Sequence, residues 1–132
     1  MKLLYPIFCL IPLIASTPVV RRQLATSDTQ NDLTNGSPCK PLTIIFARGT
    51  VESGNVGARI GPPLFSAVAD LTGAANLAVQ GVDYPAGIFG FLAGGDKGGS
   101  TLMKKLVQQT ITQCPATKIV MSGYRYDPCD EV

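Results

Sequence analysis

Residues Leu42–Ala47 read LTIIFA, and this stretch decides the fold class of the 132-residue chain. It is a short, uninterrupted apolar run rich in β-branched residues, which is typical of a parallel strand buried on both faces. Similar runs follow around Leu77–Val82 (LAVQGV) and at Lys118–Ser122 (KIVMS). Because long segments separate these runs, we expect parallel strands joined by crossover connections.

Two amphipathic helices are predicted between the strands. The first begins at Pro63, which fits a first helical turn, and ends at Gly73. Its apolar face contains Leu64, Phe65, Val68 and Leu71. The second covers residues 101–113 with Ser100 as its N-cap, and its apolar stripe contains Leu102, Met103, Leu106, Val107, Thr110 and Ile111. The glycine-rich segments 48–62 and 83–99 are predicted as loops. Strand, helix, strand, helix and strand together indicate an α/β fold.

The amino-terminal residues predict export from the cell. In residues 1–17, Lys2 precedes an apolar run that ends in small residues, as in a secretory signal. The run is shorter than the ~20 apolar residues that span a bilayer, so we expect no stable membrane insertion. Arg21 and Arg22 suggest a trimmed pro-segment, and residues 18–38 are interpreted as this pro-segment and a flexible arm without a core of its own. The expected location is extracellular.

Composition argues against several kinds of ligand. The formal charge of +2 comes from scattered residues, without the basic face that nucleic acid requires. The chain has no histidine, and its cysteines and carboxylates do not follow the spacing of zinc or calcium sites. We therefore expect no metal and no cofactor. If Cys9 leaves with the signal, an oxidising compartment favours a disulfide between Cys39 and Cys114, which leaves Cys129 unpaired.

The third predicted strand runs into the turn Gly123-Tyr124-Arg125-Tyr126-Asp127. A strand followed by Gly-x-nucleophile-x-Gly is the elbow that presents the serine of α/β hydrolases. Here Arg125 occupies the position of the nucleophile, and Asp127 occupies that of the second glycine. The catalytic position therefore has no nucleophile.

With this turn, the segments PLTIIFARGT, VQGVDYPAG and QCPATKIVMSGY resemble the fungal cutinases, a family of secreted serine esterases that includes acetylxylan esterases. The resemblance implies a doubly wound parallel sheet of about five strands, of which about three are encoded in a partial domain at residues 39–124. It also implies that Thr50 belongs to the oxyanion hole, that the backbone N–H of Tyr126 would be the second donor, and that Cys39 pairs with Cys114.

Three interpretations of function remain open. In the first, the chain is a cutinase-type carboxylic ester hydrolase acting on ester polymers or lipid-like substrates, and it is inactive as written. In the second, it is a non-catalytic protein that binds a lipid or wall polymer through Tyr84–Leu92. In the third, it is a polypeptide that does not fold. Substrate choice in a complete form could be of the acetylxylan esterase type. We expect a monomer if the chain folds, and poor solubility because one strand edge lacks a partner. Residues 125–132 form an atypical tail, and we hypothesise that it is translated intron sequence.

Overall fold

A computed structural model describes residues 27–125 of the chain. Its elements, in chain order, are β1 (Leu42–Ala47), α1 (Gly61–Thr72), a short 3-10 helix (Ala74–Asn76), β2 (Leu77–Gly81), α2 (Ile88–Leu92), α3 (Lys97–Gln113) and β3 (Lys118–Gly123). All three predicted strands and both predicted helices are present, so the α/β class is confirmed.

The three strands form one parallel sheet in the order β2-β1-β3. Leu42 of β1 aligns with Leu77 of β2 and with Lys118 of β3, and the register continues to Ala47 opposite Gly123. From β1 the chain therefore continues to β2 at one edge of the sheet, and it later crosses to β3 at the opposite edge. Strand order reverses at β1, and the loop after β1 lies where open α/β sheets carry their sites.

The sheet has an apolar core on each face. Alternate residues of β1 point to opposite faces: Ile44 and Phe46 pack with Phe65 of α1, while Ile45 packs with Leu106 of α3. Phe46 and Phe65 meet edge to face, with ring centroids 5.2 Å apart. Since α1 and α3 cover opposite faces, the sheet is doubly wound, as the family resemblance implied.

The helix boundaries correct the sequence prediction in three places. Asp96, not Ser100, is the N-cap of α3, because its carboxylate accepts a hydrogen bond from the Gly99 N–H at 2.6 Å. The predicted loop 83–99 also contains α2 and the first turn of α3. Helix α1 begins at Gly61, two residues before Pro63. Leu71, placed on its apolar face by periodicity, is 88% exposed.

Part of the predicted arm packs against the free side of β2. Asn31 forms an antiparallel bridge with Gln80, and the Asp32 carboxylate accepts a hydrogen bond from the Val79 N–H at 2.9 Å. Leu33 is buried in the core beneath α3. From Ser27 onward the segment supplies a side chain to the core of the sheet and hydrogen bonds to its edge.

Strand β3 lies at the opposite edge and is much less covered than β1 and β2. Within residues 27–125 it pairs with β1 alone. Val120 is 44% exposed and Met121 is 62% exposed, whereas Ile44 and Val79 of the other strands are buried. An apolar strand with one unpaired edge is a template for further strand pairing.

Candidate functional site

The candidate site lies at the carboxyl edge of the sheet, where the loop after β1 meets the turn after β3. Ala47 aligns with Gly123, and the Tyr124 N–H donates to the Ala47 carbonyl at 3.1 Å. This pairing continues the sheet one residue beyond β3. It therefore brings the segment from Arg48 to Thr50 beside Tyr124 and Arg125.

Two residues near Thr50 adopt a backbone conformation that favours glycine. Val51 has φ 58° and Ala86 has φ 47°, and they are the non-glycine residues with positive φ in the described part of the chain. The Val51 N–H donates to the Ala86 carbonyl at 2.9 Å. Such strain costs about 1–3 kcal/mol per residue and persists where surrounding contacts impose it. The segments after β1 and β2 are thus fixed against each other beside Thr50.

Glu52 and Arg48 hold the loop in a tight turn. The Glu52 carboxylate accepts hydrogen bonds from the Gly49 N–H at 2.9 Å and from the Arg59 N–H at 3.1 Å. In return, the Arg48 Nε–H donates to the Glu52 carbonyl at 2.8 Å. Arg48 is 8% exposed, and its Nη1 is buried without a hydrogen-bond partner in the part of the chain described. The loop is therefore braced by side chains on both sides of Thr50.

Tyr84 joins this loop to helix α3. Its hydroxyl donates to the Arg48 carbonyl, and the Arg48 guanidinium lies 5.3 Å from the Tyr84 ring centroid. The ring also contacts Gly99, where a Cβ would come within 3.0 Å of it. Burial raises the pKa of the Tyr84 phenol above its ordinary value, and the nearby Arg48 cation opposes part of this rise.

Thr50 and Arg125 line the same cleft, which has a volume of about 130 Å³. Thr50 is 7% exposed, and its hydroxyl has no hydrogen-bond partner among residues 27–125. The Arg125 guanidinium lies over the Phe91 ring at 4.1 Å and donates from Nη2 to the Phe91 carbonyl at 3.2 Å. Further lining residues are Tyr84, Ala86, Gly87, Gly90, Gly95, Asp96 and Tyr124.

The structure brings some of the predicted residues together and separates others. Thr50 and Arg125 share the cleft, whereas Cys39 and Cys114 form a disulfide at the amino edge of the sheet, with Cα atoms 5.5 Å apart. Tyr126, Cys129 and residues 1–26 lie outside the described range, so the structure does not test predictions for them.

Other candidate nucleophiles have structural contacts instead. Ser53 hydrogen-bonds the Asp28 carboxyl and thereby lowers its pKa, and the Ser100 hydroxyl donates to the Asp96 carbonyl at 3.1 Å. In residues 27–125, no serine side chain forms a hydrogen bond with a lysine, and no group of three or more histidine, cysteine or carboxylate residues could hold a metal. None of the described helices is both long and apolar enough to cross a bilayer.

Sequence reasoning missed the residues that brace the site. The hydrogen bond from Arg48 Nε to the Glu52 carbonyl depends on a turn whose geometry no periodic pattern predicts. Left-handed conformations at Val51 and Ala86 are likewise unexpected, because these residue types disfavour them. The one available signal was the Pro85-Ala86-Gly87 sequence after β2, which indicates a turn but not its hydrogen-bond partner.

Comparison with known proteins agrees with this geometry. The sequence profile of the cutinase family matches residues 38–126. A cutinase of Pyrenopeziza brassicae is 51% identical over 94 residues, covering 70% of this chain and 46% of the relative. Cutinase 4 of Emericella nidulans is 51% identical over 102 residues, covering 77% of this chain and 45% of the relative.

A solved structure is similar as well. Trichoderma reesei cutinase in complex with a phosphonate inhibitor superposes with a TM-score of 0.66 at 38% identity, covering 75% of this chain and 42% of that one. The chain thus spans less than half the length of the curated relatives named above. The family profile covers about two thirds of the chain, and two segments of the candidate site lie where open α/β sheets carry their sites. The chain therefore belongs to the cutinase family.

Proposed function

We propose that this chain carries the oxyanion-side part of the cleft of a secreted cutinase-type carboxylic ester hydrolase, and that the chain as written does not turn over esters. The observation that carries the proposal is the pairing of Thr50 with Arg125 in one cleft. The Thr50 hydroxyl and N–H would stabilise the negative charge of a tetrahedral intermediate. The position across from them, where a serine would attack, holds an arginine.

Loss of turnover follows from the chemistry of the groups present. The Arg125 guanidinium is a hydrogen-bond donor only and has no lone pair to attack a carbonyl. A serine nucleophile also needs a general base within hydrogen-bond reach, and the 132 residues contain no histidine. Removing such groups from a serine hydrolase costs several orders of magnitude in rate. Restoring a serine at Arg125 alone would therefore not restore activity.

The family membership supports the substrate class. Its relatives are cutinases, so we propose a cutin-like polyester, cleaved in a complete form through a serine acyl-enzyme. An acetyl-ester substrate of the acetylxylan esterase type is the alternative within the same reaction class. We further propose that residues 1–17 direct export, that residues 18–38 include a pro-segment, and that the partial domain acts outside the cell.

Hydrolysis of a short-chain p-nitrophenyl ester tests this proposal. The purified chain is assayed beside its Thr50→Val variant and an active fungal cutinase. We expect the parent and the variant to release p-nitrophenol at the buffer rate, while the cutinase is active. Turnover by the parent that the Thr50→Val substitution abolishes would contradict the proposal, because it would require a nucleophile and base that we have not identified.

A second function is favoured by the surface of α2. Phe89 is 90% exposed, Leu92 is 72% exposed and Ile88 is 49% exposed, and all three lie next to the cleft-lining Phe91. Tyr84, at the start of the same segment, packs instead against the core beneath α3. The first residue of the segment therefore packs inside, and its helix presents apolar side chains to solvent. We propose that this helix contacts a lipid or wall polymer.

Retention on insoluble cutin and xylan tests the second function. The variant Phe89→Ser should reduce retention on the polymer that binds. Leu71→Ser is the matched control, because Leu71 is 88% exposed but lies at the far end of α1, next to the amino edge of the sheet. Equal loss of retention in both variants would indicate general stickiness of apolar surface and would contradict a role specific to α2.

A further inference from the structure

The cleft combines a cation, a hydroxyl without a hydrogen-bond partner among residues 27–125, and apolar walls, and this combination fits a ligand other than an ester. We propose that the cleft binds the carboxylate of a monocarboxylic acid with an apolar chain. This inference deepens the proposed binding function and does not require that the chain catalyse any reaction. It depends on Arg125, which occupies the position of the nucleophile in the elbow pattern Gly-x-nucleophile-x-Gly.

Arg125 is positioned to bind an anion. Its guanidinium stacks on the Phe91 ring at 4.1 Å, and one N–H is used by the Phe91 carbonyl at 3.2 Å. A guanidinium has five N–H donors, and within residues 27–125 the hydrogen bond to Phe91 uses one of them, which leaves others to face a ligand. Stacking on a ring restricts the plane of the guanidinium, which prepares it for the two parallel hydrogen bonds that a carboxylate accepts.

Thr50 supplies a second donor to the same space. The residue is more than nine-tenths buried, lines the cleft, and its hydroxyl has no hydrogen-bond partner among residues 27–125. Because the Thr50 oxygen is not among the buried atoms without a partner, it faces the cleft, where it could donate a hydrogen bond to a ligand oxygen. Thr50 and Arg125 lie on different strand ends, so a ligand that contacts both would bridge β1 and β3.

The size and walls of the cleft select a carboxylate head attached to an apolar chain. A cleft volume of about 130 Å³ is well above the ~10–15 Å³ that a single water molecule requires, and it has room for a carboxylate and the first carbons of a chain. Phe91, Tyr84 and Ala86 line it, and the exposed Phe89 and Leu92 of α2 would cover the remainder of a longer chain. An inorganic anion would leave these apolar contacts unused.

One group in the cleft opposes anion binding. Asp96 lines the same space with a carboxylate. Its Oδ1 accepts the Gly99 N–H at 2.6 Å at the start of α3, where the helix dipole partly offsets its charge. The variant Asp96→Asn keeps the capping oxygen and removes the charge. If the ligand is a carboxylate, this variant should bind it more tightly than the parent does.

Binding of decanoate to the full disulfide-bonded chain tests the inference, with decanol as the uncharged probe. By titration calorimetry below the micellar concentration, we expect saturable decanoate binding and much weaker decanol binding. Arg125→Leu should weaken decanoate binding by roughly tenfold, as expected for loss of hydrogen bonds to a charged group. The affinity of Arg125→Lys for decanoate should lie between those of the parent and of Arg125→Leu. Lys105 is exposed on α3, so the variant Lys105→Leu should bind decanoate as the parent does.

Several results would overturn the inference. Absence of decanoate binding, equal affinity for decanol, or an Arg125→Leu variant that binds decanoate as tightly as the parent would each show that the cleft does not recognise a carboxylate. Tighter decanoate binding by Asp96→Asn supports it, and unchanged or weaker binding opposes it. Ester turnover and retention on polymers are measured separately, so failure of either proposed function remains distinguishable from failure of this one.

Discussion

Removing the Cys39–Cys114 disulfide should lower the free energy of unfolding by about 4.5 kcal/mol. The bond joins the segment ahead of β1 to the end of α3 and closes a ring with a sequence separation of 75 residues. In the chain-entropy model, a ring of this size removes about 15 cal/mol/K from the unfolded ensemble, which is about 4.5 kcal/mol at room temperature. The effect is large because the two cysteines are distant in sequence but adjacent in the fold.

Urea unfolding followed by circular dichroism measures this loss. Cys39→Ala/Cys114→Ala is compared with the parent, both carrying Cys9→Ala and Cys129→Ala so that no free thiol can exchange. The expected loss approaches the whole stability of a small domain, so an osmolyte is added to keep the variant folded. The free energy of unfolding is measured at several osmolyte concentrations and extrapolated to zero osmolyte. The denaturant slope should also rise, since an unfolded chain without the ring exposes more surface.

A loss below about 1 kcal/mol with an unchanged denaturant slope would refute the reasoning. Such a result would mean that the unfolded chain is already compact around the two segments, so that the ring restricts little. A large loss with an unchanged slope would also contradict the entropic account, and would place the effect in the native packing of Cys114, which is buried.

Three further changes follow from the fold and the site. Because burial raises the pKa of Tyr84, the free energy of unfolding should be constant at lower pH and should fall as the pH rises through the ordinary phenol value of 10.0. The difference between the ultraviolet titrations of the parent and of Tyr84→Phe should have a midpoint above 10.0. A midpoint at or below 10.0 would be contrary evidence. Gly81→Ala should lower the free energy of unfolding by about 1–3 kcal/mol in urea, since a Cβ there would clash with Asn55 Oδ1; a change within about 0.5 kcal/mol would count against the close contact. The double variant Val120→Lys/Met121→Lys adds charge to the exposed edge strand β3 and should therefore lower the fraction of protein that sediments as aggregate. A parent chain that is monomeric and melts cooperatively would disprove the expected association.

The strands were predictable because burial leaves a direct signal in the sequence. LTIIFA at β1 is apolar throughout because both of its faces are covered. Helix ends were less predictable, since capping is a matter of individual hydrogen bonds. Asp96 caps α3 across two glycines, Gly98 and Gly99, which as helix-disfavouring residues suggested a loop. The pattern of α1 placed Leu71 inward, but the helix ends one residue later and its last turn is exposed.

The candidate site was predictable only where the family pattern names residues. Thr50 and Arg125 were identified from the segments after β1 and β3, and the parallel register brings them to one edge of the sheet. The contacts that brace them were not predictable. They depend on left-handed backbone at Val51 and Ala86 and on the turn closed by Glu52, which are set by tertiary packing and leave no periodic signal.

Intact-mass analysis after incubation with a reactive p-nitrophenyl alkylphosphonate tests the central claim most directly: this chain has the oxyanion side of a cutinase cleft but no nucleophile. Such a reagent phosphonylates an activated serine and releases p-nitrophenol. We expect the mass of the chain to remain unchanged, while an active fungal cutinase treated in parallel gains one phosphonyl group. A stoichiometric gain of one phosphonyl group by this chain, prevented by Thr50→Val, would contradict the account.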